Sequence, residues 1–329
     1  MKKATLSLAT LVLSIFTLSL QLRADSVLTT ISLGVGGGGD AVAANPVTNK
    51  VYVAVDNNTG QVVVINGKTQ QVTGTIDIGR DPHSIAVNVK TNRIYATVCS
   101  FNTASCDIAV IDGRTDSLIT TIPIASGSSI GLQGLAVNPI TNLIYASDAD
   151  NGQYIVIDGK TNTIVTMVPV FAQAAGIAVN PKTNRLYVVS GGFPGEVLVF
   201  DGGTNALLAT IPEDFGVENV ATNFRLNTVY VNQTGGSLIV INGATNQNTA
   251  QVPAGQFPDN VDVNLLNNKV YVTNGQSQSV TIIDGNTNQL VQTLPVPLSF
   301  PSAVAVNLAT GLTYVSDFGS DKVVVLQPN

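Results

Sequence analysis

Short runs of alternating apolar and polar residues recur along the chain, and turn residues separate them. The clearest example is the stretch from Gly176 to Pro212, whose four runs rich in β-branched residues are Ile177–Val179, Leu186–Val189, Val197–Phe200 and Leu207–Ile211. A period of two is typical of a β-strand, and the Gly, Pro, Asn and Asp residues between the runs favour tight turns. This stretch predicts a four-stranded antiparallel meander.

The same pattern occurs seven times. In each copy an Asn is followed four residues later by Asn or Gly, and three residues after that by Tyr. The copies are Asn45/Asn49/Tyr52, Asn88/Asn92/Tyr95, Asn138/Asn142/Tyr145, Asn180/Asn184/Tyr187, Asn223/Asn227/Tyr230, Asn264/Asn268/Tyr271 and Asn307/Gly311/Tyr314. The second residue of each copy tolerates the positive φ that a tight hairpin requires. Four-stranded repeats of about 40 to 45 residues are typical of β-propeller blades.

A second turn marker, Asn-Gly or Asp-Gly, joins the third and fourth predicted strands in six of the seven copies. The seventh copy stops after its third strand, Val323–Leu326, and the N-terminal run Val27–Leu33 matches the strand that it lacks. A ring closed in this way leaves no open sheet edge between its first and last blades. We therefore predict an all-β, seven-bladed β-propeller with four antiparallel strands per blade, in which the N-terminal strand joins the C-terminal blade.

The repeated blocks also carry a family resemblance. Tyr271–Asn274 spells YVTN, and the forms VN-P-x-T-N-x-x-Y-V and V-x-V-I-(D/N)-G-x-T-N recur with it. The chain resembles the YVTN-repeat, YncE-like β-propeller family over nearly all of its length after residue 24. The resemblance implies the architecture and little about activity, since the motif consists of turn and strand positions. Similar propellers include surface-layer proteins, lactonases, streptogramin lyases and quinoprotein subunits.

The N-terminal segment has the parts of a secretory signal peptide. Met1–Lys3 is basic, Ala4–Leu20 is apolar, and Ala24 is a small residue at a plausible cleavage point. We predict a signal peptide at residues 1–24 and a single propeller domain at residues 25–329, exported to the periplasm or to the cell surface and medium. No later stretch is long enough to span a bilayer, and we expect a monomer without a membrane span.

Charge and cysteine content narrow the classes of partner. Without residues 1–24 the formal charge falls from −6 to −9, because 12 basic residues then face 21 acidic ones. Such a field repels polyphosphates, so we expect a protein or small-molecule partner and no nucleic acid. Cys99 and Cys106 lie at the ends of two adjacent predicted strands, and neither belongs to a Cys-x-x-Cys pair. In an exported chain they predict a structural disulfide.

The candidate site is the mouth of the central channel. There the loops that lead into the innermost strands meet the loops that join the second and third strands. The residues five positions before the first repeat Asn converge in a closed ring, and they are Asp40, His83, Gln133, Ala175, Glu218, Asp259 and Ser302. Arg80 and Asp81 precede His83 in the same loop. We predict a ligand-binding site formed by Asp40, Arg80, Asp81, His83, Gln133, Glu218 and Asp259.

Three interpretations of this cluster stay open: a bound cation, acid–base catalysis, or polar side chains that only cap a water-filled mouth. Converging carboxylates raise one another's pKa, which suits a bound cation or acid–base catalysis. One hypothesis is a divalent metal on Asp40, His83, Glu218 and Asp259, and another is a set of polar caps on a water-filled mouth. We expect a binding or scaffold protein with no assigned catalytic residue. The alternative is a lactonase- or lyase-like enzyme that uses the carboxylate and histidine ring with a divalent metal.

Another pattern resembles a catalytic motif. Gly127–Gly131 fits G-x-S-x-G, and its Ser129 together with the single histidine suggests a serine nucleophile. A nucleophile elbow, however, joins a strand to a helix, whereas this segment joins two predicted strands. A Gly/Ser loop is the better interpretation.

Overall fold

The computed structural model describes residues 24–57, 59–79, 82–100, 105–126, 131–170 and 173–329. Within these ranges the chain forms strands and no helix, so it contains no helix that could cross a bilayer. Most of the predicted signal peptide, residues 1–23, lies outside the described residues, as do Arg80, Asp81 and residues 127–130.

The strands follow one another as seven groups of four. Blades 1 to 4 comprise β2 Gly38–Asn45, β3 Lys50–Asp56, β4 Gln61–Asn66 and β5 Gln71–Asp77; β6 Ile85–Asn88, β7 Arg93–Ser100, β8 Ser105–Asp112 and β9 Ser117–Ser126; β10 Leu132–Asn138, β11 Leu143–Asp148, β12 Gln153–Asp158 and β13 Thr163–Pro169; β14 Ala174–Asn180, β15 Arg185–Ser190, β16 Gly195–Asp201 and β17 Leu207–Glu213. Blades 5 to 7 comprise β18 Val217–Asn223, β19 Thr228–Gln233, β20 Ser237–Asn242 and β21 Gln247–Pro253; β22 Pro258–Asn264, β23 Lys269–Asn274, β24 Ser279–Asp284 and β25 Gln289–Pro295; β26 Pro301–Val306, β27 Thr313–Asp317, β28 Lys322–Gln327 and β1 Ser26–Ser32.

Each group forms one antiparallel sheet in chain order, and the last sheet has the order β26-β27-β28-β1. The prediction of seven blades closed by the N-terminal strand is confirmed. Ser26 pairs with Gln327 and Ser32 with Lys322 across the closure. The two middle strands of each blade are almost wholly buried, because both of their faces pack against neighbouring blades. All seven repeat tyrosines, at the start of the second strands, are 0% exposed.

The turn residues adopt the backbone that their side chains favour. Six repeat asparagines and Gly311 have positive φ between β-strands one and two of their blades, as predicted; they are Asn49, Asn92, Asn142, Asn184, Asn227, Asn268 and Gly311. In the turns between the third and fourth strands the glycine of the marker does not supply the positive φ. That conformation falls on the residue four positions after the marker Asn or Asp, such as Gln70 or Asp116.

The first repeat asparagines form a ring of contacts between blades. Each is 0% exposed, and in six blades its side-chain amide donates to the second repeat Asn of the next blade, as from Asn180 to Asn227 at 2.8 Å. The series is Asn45 to Asn92, Asn88 to Asn142, Asn138 to Asn184, Asn180 to Asn227, Asn223 to Asn268 and Asn307 to Asn49, with Asn264 donating to the Gly311 carbonyl instead. The ring lies on the face opposite the predicted site.

The marker glycines make room for this ring. A Cβ at Gly67 would lie 2.3 Å from Asn49 Oδ1 and 2.8 Å from Asn307 Nδ2. Any side chain there would displace the hydrogen bond between blade 7 and blade 1. The Asn-Gly and Asp-Gly pairs are therefore required by the contact between blades as well as by the turn.

A buried ion pair reinforces the closure. In blade 1, Lys50 and Tyr52 both bind Asp116 of the next blade, at 2.6 and 2.8 Å. Blade 7 has no turn between its third and fourth strands, and Asp25 takes the place of Asp116. Asp25 accepts from the Lys269 ammonium and from the Tyr271 hydroxyl, and both Asp25 and Lys269 are buried. The N-terminus of the ring is thus tied to blade 6 as well as to blade 7.

The disulfide is confirmed. Cys99 on β7 lies directly opposite Cys106 on β8, and their sulfur atoms are 2.00 Å apart. The bond closes the end of the hairpin next to the channel mouth.

Candidate functional site

The innermost strands of all seven blades surround a cavity of about 390 Å³ that opens at the channel mouth. Asp40, His83 and Gln133 line it at the predicted positions, and Asn219 and Asn260 lie next to the predicted Glu218 and Asp259. The remaining wall is mostly alanine and valine. Polar groups therefore gather at the mouth, above an apolar channel.

A β-bulge places the predicted residues at the mouth. In six blades the pairing between the first and second strands shifts register at this point. The residues passed over by the shifts include Asp40, Gln133, Ala175, Glu218, Asp259 and Ser302. A bulged residue lies outside the regular ladder, and bulges redirect side chains next to many functional sites. Of the residues passed over, Asp40 and Gln133 line the cavity at the mouth.

Threonine hydroxyls two residues after the repeat tyrosines accept hydrogen bonds from the backbone at the start of the innermost strands. Thr97 Oγ1 accepts from the amides of His83 at 3.1 Å and Ser84 at 2.9 Å, and it is 0% exposed. In blade 6, Thr273 Oγ1 accepts from the Asn260 amide at 2.9 Å. The mouth is therefore built on a second layer of buried polar side chains.

Asp40 and His83 form a pair across blades 1 and 2. His83 Nδ1 lies 3.4 Å from Asp40 Oδ2, and the Asp40 side chain is only 7% exposed. The other carboxylate oxygen, Oδ1, is buried and has no hydrogen-bond partner among the residues that the structure describes. A buried carboxylate oxygen without a donor is costly, and the Asp40 side chain that bears this cost lies in the cavity wall.

Asp259 and Glu218 complete the acidic group. Burial raises the pKa of Asp259 to about 7, and the charges of Glu218 and Asp40 add to the effect. Burial also raises the pKa of Glu218. Asp40 and Glu218 therefore lie close enough to Asp259 to influence its ionisation. We call Asp40, Glu218 and Asp259 the acidic centre.

The other predicted positions differ. Gln133 is exposed at the mouth, whereas Ser302 is buried and donates from Oγ to the Gly39 carbonyl at 2.9 Å. Ser302 thus joins blade 7 to blade 1. Arg80 and Asp81 lie outside the described residues, and so does Ser129.

Comparison with known proteins agrees with the fold. No family model matches the sequence, and no curated protein matches it. Among solved structures, a chain titled Kuenenia stuttgartiensis hydrazine synthase superposes with a TM-score of 0.77 at 15% identity, covering 89% of this chain and 96% of that chain. This likeness shows the propeller fold alone.

The described residues do not assemble a metal centre. No group of three or more His, Cys, Asp or Glu side chains in those ranges is arranged to hold an ion. Of the four predicted ligands, Asp40 and His83 contact each other. The metal site on Asp40, His83, Glu218 and Asp259 stays a prediction that the geometry of the described residues does not support.

One acidic residue deeper in the channel was missed. Asp262 occupies a position that is alanine in the other six blades, namely Ala43, Ala86, Ala136, Ala178, Ala221 and Ala305. Its carboxylate accepts from the amides of Val263 at 2.7 Å and Val306 at 2.8 Å. Burial nevertheless raises its pKa to about 6. The lone acid at an alanine position is a signal that alignment of the repeats could have revealed.

Proposed function

We propose that the protein is an exported YVTN-type propeller that acts as a binding or scaffold protein and recognises a partner or small ligand at the channel mouth. A rigid ring with variable loops suits recognition. The predicted signal peptide and the disulfide both support a role in the periplasm or at the cell surface.

The observation that carries this proposal is the acidic centre at the channel mouth, where the buried carboxylate of Asp40 lines the cavity and its Oδ1 has no hydrogen-bond partner among the described residues. The cavity is surrounded by all seven blades, and the carboxylate of Asp259 nearby is kept costly to ionise. A ligand that donates hydrogen bonds to these oxygens would offset the cost of burying them. Groups that reduce stability until a ligand arrives are common in binding sites.

Site-directed photocrosslinking tests the proposal. Benzoylphenylalanine would replace Gln133, exposed at the mouth, or Leu266, which is 56% exposed on the opposite face, and the protein would be irradiated in an extract of its native compartment. We expect adducts from position 133 and none from position 266. Adducts from position 266 alone, or from neither position, would contradict a binding role for the mouth.

The same preparations separate binding from catalysis. An enzyme at the mouth would lose turnover of lactone substrates in Asp259→Ala and His83→Ala while remaining folded. A binding protein would show no turnover in any form and would lose adducts in Asp259→Ala.

A further inference from the structure

Exposed phenylalanines gather around the channel mouth. Of the seven phenylalanines in the described ranges, five lie in loops at the mouth of blades 4 to 7, whereas Phe200 is in a strand and Phe224 is on the opposite face. The five are Phe193, Phe215, Phe257, Phe300 and Phe318, which we call the phenylalanine arc. The repeat tyrosines, by contrast, are fully buried.

The arc exposes a large apolar area. Phe193 is 78% exposed, Phe318 56%, Phe215 45% and Phe257 38%. Ring centroids are 6.2 Å apart between Phe193 and Phe215, 5.8 Å between Phe257 and Phe300, and 6.3 Å between Phe300 and Phe318. The arc thus consists of two patches of neighbouring rings, Phe193 with Phe215 and Phe257 with Phe300 and Phe318. Exposed aromatic patches in a polar neighbourhood are characteristic of interaction sites.

The loops that carry the arc are held in place. The Phe300 amide donates to Asp317 at 2.6 Å, and the Phe318 amide donates to the Phe300 carbonyl at 3.0 Å. The Phe300 ring lies over Gly275, where a Cβ would be 2.4 Å from the ring. A surface ordered before binding loses little entropy when a partner docks.

Phe257 adds a strained backbone. Its φ is +56°, and the other non-glycine residues with positive φ are Asn, Asp or Gln. A bulky side chain in this region is strained, and such strain collects at functional sites. Asn, Asp or Gln occupies the other non-glycine positive-φ positions, and Asn and Asp adopt that backbone more readily. Position 257 carries a phenylalanine instead.

The phenylalanine arc lies beside negatively charged residues. Phe257 precedes Asp259 by two residues and Phe215 precedes Glu218 by three, so the arc borders the acidic centre. Asp150 and Asp214 add negative charge in neighbouring loops, and the described residues of the mouth loops include no Lys or Arg. Carboxylates beside aromatic faces attract cations.

The extent of the surface favours a chain over a small molecule. The arc spans four of the seven blades, well beyond a ligand that fits the cavity. Between blades 5 and 6 a groove of about 820 Å³ extends the surface and includes Phe257 in its wall. The contact area therefore suits several residues of an extended peptide.

We infer that the channel mouth docks a protein segment that inserts a lysine or arginine side chain at the acidic centre and lays apolar side chains on the phenylalanine arc. This inference rests on the proposed binding function and specifies the class of partner. The basic side chain would donate to the carboxylates of the acidic centre, and the apolar side chains would cover Phe257, Phe300 and Phe318.

Selection from a phage-displayed library of random twelve-residue peptides tests this chemistry. The protein, immobilised at pH 8, would be compared with two mouth variants, Glu218→Gln/Asp259→Asn and Phe257→Ser/Phe318→Ser, and with the opposite-face control Ile140→Ser/Leu266→Ser. We expect enriched peptides to carry Lys or Arg beside apolar residues. A selected peptide should bind both mouth variants at least tenfold more weakly and bind the control variant unchanged, as measured by fluorescence anisotropy.

Substitutions in the peptide keep the test independent of how the variants fold. Replacing its Lys or Arg with Gln should weaken binding at least tenfold. Enrichment of peptides without a basic residue, or binding that the Gln peptide retains, would overturn the inference. Crosslinks from position 133 without peptide enrichment would refute the docking of a basic segment, while the proposed binding function would remain supported. A melting shift with arginine amide alone would then assign the site to a small cation.

Discussion

At the residue scale, the mouth shows how local geometry decides what a side chain can do. Asp40, Glu218 and Asp259 come from three blades and lie at bulges, and the charges of Asp40 and Glu218 add to the effect of burial in disfavouring ionisation of Asp259. Ser302 has the same place in its repeat and instead closes a contact between blades. Equivalence in sequence therefore predicts the location of a residue better than its bonding.

The carboxylate of Asp259 is expected to reduce stability at neutral pH. Its pKa of about 7 lies above the value near 3.9 of an unfolded chain, so folding becomes less favourable as pH rises from about 4 to about 7. Glu218 and Asp40 act on it directly, and His83 lies beside Asp40. Asp259→Asn should leave the melting temperature nearly unchanged at pH 4 and raise it at pH 8. An equal shift at both values would contradict the assignment, and Asp214→Asn, in an exposed loop, is the control.

The hydroxyl of Thr97 is expected to support the loop of His83. Thr97→Val leaves two backbone amides without an acceptor, and each unsatisfied buried donor costs about 1–3 kcal/mol. Urea unfolding should therefore show a loss of at least 1 kcal/mol, whereas Thr121→Val on the exposed face of β9 should change stability by less than about 0.5 kcal/mol. If Thr97→Val left the free energy of unfolding unchanged, water would have to replace the hydroxyl as the acceptor.

At the element scale, each blade is a meander whose ends serve different purposes. The hairpins between first and second strands carry the asparagine ring, and the loops at the other end carry the mouth. Two layers of polar contacts thus position the blades, while the middle strands supply the apolar interfaces between them.

The disulfide is expected to stabilise the hairpin of β7 and β8. Closing a loop of this size contributes about 2.5 kcal/mol on the chain-entropy model. The double variant Cys99→Ser/Cys106→Ser should lose about that amount in urea unfolding, and dithiothreitol should cause a similar loss in the unaltered protein only. If dithiothreitol destabilised the double variant equally, the loss would not come from the disulfide.

Much of the blade pattern could be predicted from sequence, because strand alternation and turn residues are local properties. The asparagine ring could not: the first repeat Asn shows in sequence as a turn residue, and its bond to the next blade depends on how blades stack. The bulges are equally hidden, since a register shift depends on the length of both paired strands. For the same reason the sequence indicated that Asp40 and Asp259 converge but not that Asp40 Oδ1 lacks a partner.

The phenylalanine arc was overlooked for a different reason. Its members lie in loops without the repeat pattern, so alignment of the repeats passes over them. These phenylalanines share only their position in loops. That position becomes meaningful once the fold brings those loops to one face of the ring.

At the scale of the whole molecule, stability depends on joining the two ends of the chain. Strand β1 completes blade 7, and Asp25 ties the same strand to blade 6. The buried pair of Asp25 and Lys269 repeats the pairing of Lys50 with Asp116, which is partly exposed.

Breaking the closure is expected to cost more than breaking its exposed counterpart. Removing one partner of a buried ion pair typically costs 3–5 kcal/mol, whereas an exposed pair contributes about 1 kcal/mol or less. Asp25→Asn should therefore lower the free energy of unfolding by about 3 kcal/mol or more, and Asp116→Asn by about 1 kcal/mol. Equal losses in the two variants would show that the closure is no more sensitive than other blade contacts.

Because the first strand pairs with the last, the ring can close only after the whole chain has been synthesised. Strand β1 leaves the ribosome among the first segments, and its partner β28 leaves almost 300 residues later. A chain interrupted between Pro295 and Lys322 would keep six complete blades but leave β1 unpaired, exposing strand edges that invite aggregation. A cell could therefore distinguish finished from unfinished copies by those open edges alone.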